Sequence, residues 1–172
     1  MHKLHRRSIR LKEYDYTQPG AYFVTIVAGE RLCIFGEIVG GDVQLSQMGE
    51  IACKEWERLP HRFKHLRLDE FIVMPNHVHG IIVLDGLSDV GAGLRPAPTI
   101  VNRYGLPEII RAFKAFSSRR INELRGTPGT QIWQRNYYEH VIRNEYDLSE
   151  IREYIVRNPM KWDFDTENPD RL

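Results

Sequence analysis

Four side chains in this sequence have the types and spacing to do chemistry together: His77, His79, Tyr154 and Asn158. The histidines belong to Met74-Pro75-Asn76-His77-Val78-His79-Gly80-Ile81-Ile82-Val83-Leu84, which starts as a turn and continues as a strand. Successive strand side chains point to opposite faces, so His77 and His79 share one face and Val78 points away. Two imidazoles on one side of a rigid strand are half of a metal site. The same spacing also suits two ordinary hydrogen-bonded core histidines. Tyr154 and Asn158 fall four residues apart in a helical stretch, hence on one face about one turn apart. They flank the apolar stripe Leu148, Ile151 and Ile155, the margin where a helix meets the sheet it covers.

Two neutral imidazoles and an amide oxygen suit a hard or borderline divalent ion with open positions. On a phosphodiester, such an ion would polarise a phosphoryl oxygen and orient the scissile bond while the phenol attacks phosphorus. A phenol titrates near a pKa of about 10, so it would need help from the cation or a base. The other reading of Tyr154 is an interfacial tyrosine that packs its ring and wets its hydroxyl.

The elements that must position these groups are legible in order. Ala21 to Val27 is a β-branched and aromatic strand, apolar enough to be covered on both faces. Ile34 to Leu45 reads as a hairpin around Gly40-Gly41-Asp42. Ser46 caps a helix to about Leu59 with Met48, Ile51, Ala52, Glu55, Trp56 and Leu59 on one face, and Pro60 ends it. His61 to Lys64 connect to a strand over Leu66 to Met74, which forms a hairpin with the histidine strand. Residues 85–105 are rich in Gly and Pro and read as a long flexible loop. Pro107 opens a helix to about Arg125, whose apolar face oddly contains Arg120. Trp133 to Arg143 reads as extended, with Tyr138, His140 and Ile142 on one face and Tyr137, Glu139 and Val141 on the other. Asp147 and Glu150 form a D-x-x-E cap for the last helix, which Pro159 ends. Helices on one mostly antiparallel sheet make an α+β sandwich of the ferredoxin-like type, with the tyrosine on the C-terminal helix.

At 172 residues the chain suits one domain, 1–172. The net charge of +1 argues neither for nor against nucleic acid, but its distribution is uneven. Lys3, Arg6, Arg7, Arg10 and Lys12 make a basic arm within residues 1–18, and Asp163, Asp165, Glu167 and Asp170 an acidic tail over 162–172. The tail is either a solvated end or a cover for a basic groove. Cys33 and Cys53 lack metal or disulfide spacing, and no apolar run approaches a membrane span, so a cytoplasmic location without membrane attachment is expected.

Met74-Pro75-Asn76-His77-Val78-His79 resembles the HUH segment of single-tyrosine (Y1) transposases. The run Trp133-Gln134-Arg135, Glu139-His140-Val141-Ile142-Arg143-Asn144, Tyr154-Ile155 and Asn158-Pro159-Met160-Lys161 is similar to the REP-associated branch of that family, and the resemblance spans about Tyr22 to Lys161. It implies His77 and His79 as metal ligands, Tyr154 as nucleophile and Asn158 as the third ligand. The implied activity is Mg- or Mn-dependent cleavage and rejoining of single-stranded DNA through a 5′-phosphotyrosine, with no nucleotide cofactor. The implied partner is single-stranded or hairpin DNA, bound by a monomer acting in cis or by a homodimer. Tyr137-Tyr138 stands where many REP-associated enzymes have Phe-Trp, so both are rival nucleophiles, and Tyr146 is another; only Tyr154 has an asparagine four residues on and the matching Asn-Pro-x-Lys context.

Single-strand binders combine cationic grooves with aromatic platforms. The arm residues Arg6, Arg7, Arg10 and Lys12, the helix residues Arg111, Lys114, Arg119 and Arg120, and Lys161 are the candidate phosphate contacts, each equally readable as a solvated surface charge. Two other functions compete. A domesticated, non-catalytic nucleic-acid-binding module of the same fold would bind without nicking. A metallohydrolase would use water, with Glu70 or Asp85 as acid or base, and leave free ends.

Overall fold

The computed structural model describes residues 14–86 and 104–171, so Arg6, Arg7, Arg10, Lys12 and most of the 85–105 loop lie outside the described residues. Strand β1 (Gly20–Val27) is central: it pairs antiparallel with β5 (His77–Leu84) on one side and β6 (Tyr138–Ile142) on the other. Strand β4 (Leu66–Val73) pairs antiparallel with β5, giving the sheet order β4-β5-β1-β6. This is the expected ferredoxin-like α+β sandwich. The Pro75-Asn76 turn closes the β4–β5 hairpin, as its residues suggested, and β2 (Gly36–Val39) with β3 (Asp42–Leu45) forms the separate small hairpin.

Alternation along β1 and β5 divides the core in two. Tyr22, Val24 and Ile26 of β1 and Val78 and Ile82 of β5 face helices α1 (Gln47–Glu57) and α3 (Leu106–Arg125). Phe23 and Ile81 face the opposite way and, with Ile142, meet Ile155, Leu148 and Ile151 of α4 (Glu145–Arg157). His77 and His79 occupy this second face. The helix bearing Tyr154 therefore covers the histidine side of the sheet, and α1 and α3 cover its back.

Several local expectations hold for the stated reasons. Ser46 caps α1, its hydroxyl accepting from Gly49 N at 3.1 Å. Pro107 lies in the first turn of α3, and Gly126 ends that helix in the left-handed region at φ 64.

Three boundaries differ. Pro60 does not simply terminate α1: that helix stops at Glu57, and Pro60 enters the first turn of a short helix α2 (Leu59–Arg62), where its missing N–H costs nothing. Asp147 does not cap α4. Asn144 does, accepting from Asp147 N at 2.8 Å, because Asp147 gives its carboxylate to His140 at 2.9 Å. Of the run from Trp133 to Arg143, only residues 138–142 form a strand, preceded by an isolated bridge from Trp133 to Ala28. Its side chains alternate as expected, with Tyr137 and Val141 toward the large core and Ile142 toward the small one.

The acidic tail is solvated only in part, since Asp163 and Asp170 are exposed while Glu167 is buried. A 3-10 helix at Pro159–Phe164 turns the chain back, and Glu167 and Asn168 are buried. Arg31 holds the segment, pairing with Glu167 at 3.4 Å and donating to Thr166 O at 3.2 Å. No helix among the described residues is long and apolar enough to cross a membrane.

Candidate active site

The β1–β5 register sets Thr25 opposite His79 and Phe23 opposite Ile81. Thr25, a polar residue in an apolar strand, places its hydroxyl 2.9 Å from His79 Nδ1. The turn before β5 is pinned by two backbone bonds, Phe35 N to Pro75 O at 2.9 Å and Ala28 N to Asn76 O at 2.8 Å. Asn76 Oδ1 lies 2.8 Å from His77 Nδ1. Each imidazole is thus held through Nδ1 and turns Nε2 toward the other, the two Nε2 atoms lying 2.9 Å apart. Phe23 stacks on the His79 ring at a centroid distance of 5.4 Å, and Trp162 lies 6.1 Å from the His77 ring.

Helix α4 brings its tyrosine to this pair. Tyr154 Oη lies 3.3 Å from His79 Nε2, and the phenol ring stands edge-on to Phe23 at 6.0 Å. The histidines are buried while Tyr154 is 44% exposed. A cleft of about 320 Å³ opens here, lined by Phe23, Thr25, His79, Tyr138, Tyr154 and Asp165 among others. Asn158 ends α4 one turn beyond Tyr154. It is 3% exposed, and its Oδ1 is buried with no hydrogen-bond partner among the described residues.

Asp165 is among the site residues that the sequence did not nominate. Its Oδ2 lies 4.0 Å from His77 Nε2, and ligand atoms of His77, His79 and Asp165 all fall within 4.8 Å of one another. Such a donor set, two imidazole nitrogens and a carboxylate, can hold a divalent ion. Nothing in the spacing of the acidic tail marked Asp165 out, and Thr25 and Asn76 were not nominated either, although a hydroxyl in an apolar strand and a polar residue beside the first histidine are signals that could have found them.

The candidate DNA contacts scatter. Arg111, Lys114, Arg119 and Arg120 lie on α3, across the sheet from Tyr154. Lys114 donates to the carbonyls of Gln134, Arg135 and Asn136 at 2.9, 3.2 and 3.1 Å, which orders the approach to β6. Arg120 pairs with buried Glu55 at 2.7 Å, which explains its place on an apolar face. Arg111 and Arg119 are exposed, and Lys161 is exposed on the 3-10 helix that follows Asn158. Among the rival tyrosines, Tyr137 packs against the large core and Tyr146 is 76% exposed, whereas Tyr138 lines the same cleft as Tyr154.

No protein-family model matches the chain. In sequence it is similar to an uncharacterized protein of Haemophilus influenzae, 40% identical over 170 residues that cover 94% of this chain and 92% of that one. A second Haemophilus influenzae protein, provisionally named a REP-associated tyrosine transposase, is 27% identical over 149 residues, covering 86% of this chain and 74% of that one. In structure the chain is similar to a REP-associated tyrosine transposase solved bound to a REP hairpin, with TM-score 0.53 at 20% identity, covering 87% of this chain and 72% of the other. The likeness expected from the two motif blocks is borne out.

Proposed function

For a chain that belongs to one family with the 40%-identical Haemophilus influenzae protein and has the fold of the REP-associated tyrosine transposase, we propose metal-dependent cleavage and rejoining of single-stranded DNA through a 5′-phosphotyrosine. One observation carries the reading: Tyr154 Oη stands 3.3 Å from His79 Nε2, within a His77–His79–Asp165 group able to hold a cation. The donors fit a divalent ion such as Mg or Mn, because Asp165 adds a hard oxygen to two imidazoles and Asn158 Oδ1 is a buried acceptor still lacking a partner. When bound, the ion would polarise the scissile phosphate and offset its charge.

The chain's own residues do the rest. Phe23 and the sheet beneath it hold the Tyr154 ring edge-on, so the hydroxyl stays beside His79 Nε2 in the cleft that both residues line. The phenol oxygen forms a bond to phosphorus as the bond from phosphorus to the 3′-oxygen breaks. The proton lost by the phenol is balanced by the one gained at the free 3′-hydroxyl. Attack by that hydroxyl on the phosphotyrosine reverses the step, with the bond energy conserved and no nucleotide cofactor consumed. Hairpin or single-stranded DNA is the partner, because the similar transposase is bound to a REP hairpin. Of the candidate cations, exposed Lys161 follows Asn158 and is placed to meet phosphate, together with the arm residues Arg6, Arg7, Arg10 and Lys12. Exposed Arg111 and Arg119 lie across the sheet and could meet only DNA that wraps the back layer.

The test is a denaturing gel after incubation with hairpin-flanked single-stranded DNA and Mn²⁺. The wild-type chain should give a covalent protein–DNA band, Tyr154→Phe should abolish it while still binding the oligonucleotide, and Tyr138→Phe should keep it. A band that maps to Tyr138 would overturn the nucleophile. Free DNA ends with no attached protein would favour hydrolysis by water, and binding without nicking would favour a non-catalytic module.

A further inference from the structure

We infer that Asn76 is a positioning residue that fixes the tautomer of His77 and so aims a lone pair, rather than an N–H, into the site. Its side chain is fully buried, and every polar contact it makes bears on its orientation. Nδ2 donates to two main-chain carbonyls, Arg31 O at 3.0 Å and Glu167 O at 2.7 Å. Each amide hydrogen therefore has a carbonyl, and a flipped amide would point its oxygen at both carbonyls instead. Oδ1 is thus the atom 2.8 Å from His77 Nδ1, and since it can only accept, Nδ1 must carry the hydrogen. A neutral His77 then has its lone pair on Nε2, the form a metal ligand needs.

The clamp is built from two distant segments. Arg31 offers its carbonyl from a tight turn in which Glu30 and Arg31 both adopt left-handed conformations, φ 53 and 58. Non-glycine residues hold such a pair only where surrounding contacts impose it. Glu167 offers its carbonyl from the returning C-terminal segment, and Arg31 pairs with the Glu167 side chain at 3.4 Å, locking the two carbonyls to each other. A rival influence on His77 is Asp165, which would draw a proton to Nε2, but it stands 4.0 Å away against 2.8 Å for Asn76.

His79 is not fixed in the same way, because its Nδ1 partner is a hydroxyl that can donate or accept. In the neutral, metal-free pair the 2.9 Å contact between the two Nε2 atoms needs one proton, and with His77 committed that proton is His79's. Thr25 then donates to His79 Nδ1. Binding an ion through His79 Nε2 would move the proton to Nδ1, and the Thr25 hydroxyl turns to accept it. The tautomer assignment stands on hydrogen-bond geometry alone; its link to metal affinity rests on the proposed function.

The experiment is long-range ¹H–¹⁵N correlation on ¹⁵N-histidine-labelled, metal-free protein, with Mn²⁺ titration in parallel. Wild type should show His77 protonated at Nδ1, and a His77 Nε2–H tautomer there would overturn the inference without need of any variant. Asn76→Leu removes the acceptor and should lose the Nδ1–H preference and weaken Mn²⁺ binding about 10–100-fold, as removal of a histidine's outer partner does. Asn76→Asp matches the native side chain in size but sets a carboxylate oxygen against the Arg31 and Glu167 carbonyls. It should shift the His77 ring-nitrogen signals and weaken Mn²⁺ binding, whereas a purely volumetric role predicts no change. An Asn76→Leu protein that folds and retains the wild-type tautomer would also overturn it. If wild type shows the expected tautomer but binds no Mn²⁺, the metal reading of the site fails and the assignment of Asn76 stands.

Discussion

Gly80 follows the second histidine and faces the back of the sheet, where the Trp56 ring packs close against it. A Cβ built on Gly80 would run into Trp56 Cζ2, and Trp56 is wholly buried with no room to retreat. Gly80→Ala should therefore destabilise by about 1–3 kcal/mol, the usual cost of overpacking a core. A lowered urea midpoint at unchanged slope would show it; an unchanged midpoint would mean that Trp56 yields freely. At this scale the sequence was informative wherever one element decides the outcome. His77 and His79 share a face because a strand alternates, and Tyr154 reaches their side because the stripe Leu148, Ile151 and Ile155 dictates which way α4 sits. Thr25 opposite His79 depends on the β1–β5 register, and Asp165 on the return of the tail. Neither pairing is local, so neither could be read from spacing.

Among the elements, α4 carries Tyr154 to the histidines, and it rests on few apolar side chains. Arg152, two residues before Tyr154, adds a latch: Nε and Nη2 donate to the two carboxylate oxygens of Asp69 at 2.7 and 2.6 Å. Asp69 lies where β4 slips register between Leu68 and Phe71, and a bulge of this kind re-aims a side chain beside a site. The hydrogen bonds from Arg152, then that from Glu70 N, outweigh partial burial and hold the Asp69 carboxyl below its usual range. A depressed folded value means the latch contributes fully above the unfolded carboxyl pKa of about 3.9 and is lost as pH falls through the lower folded one. A double-mutant cycle of Asp69→Asn and Arg152→Ala should give a coupling of about 0.5–1 kcal/mol at neutral pH, modest because Arg152 is 44% exposed to screening solvent. In acid below both pKa values, the same cycle should give none. A coupling that persisted there would show that the pair is not ionic. Element order was legible in sequence because each run has a clear period; the start of α4 was not, since Asp147 could serve either the cap or His140 and only packing decided.

Across the whole molecule, the back layer is joined by one carboxylate. Glu55 of α1 is fully buried and accepts from Arg58 at 2.6 Å, from Arg62 of α2 at 2.8 Å and from Arg120 of α3 at 2.7 Å. Burial alone would raise its pKa, but the hydrogen bonds from Arg62 and Arg58 prevail and the carboxyl lies below its usual range. Arg62 also stacks on Phe116 of α3 at 4.0 Å, so three helices share this one node. The sequence displayed the anomaly, an arginine within an apolar stripe, but its partner lies 65 positions earlier (120 − 55) and only the packed helices bring them together. Glu55→Gln would leave the arginines of the node without their counter-charge. Breaking a buried pair costs about 3–5 kcal/mol, and the lower end applies because Arg58 and Arg120 keep access to water. Urea unfolding should show that loss, with oligonucleotide affinity little changed if Arg120 serves the helices rather than the DNA. A variant of wild-type stability that binds DNA more tightly would instead make Glu55 a restraint on a phosphate-binding arginine cluster.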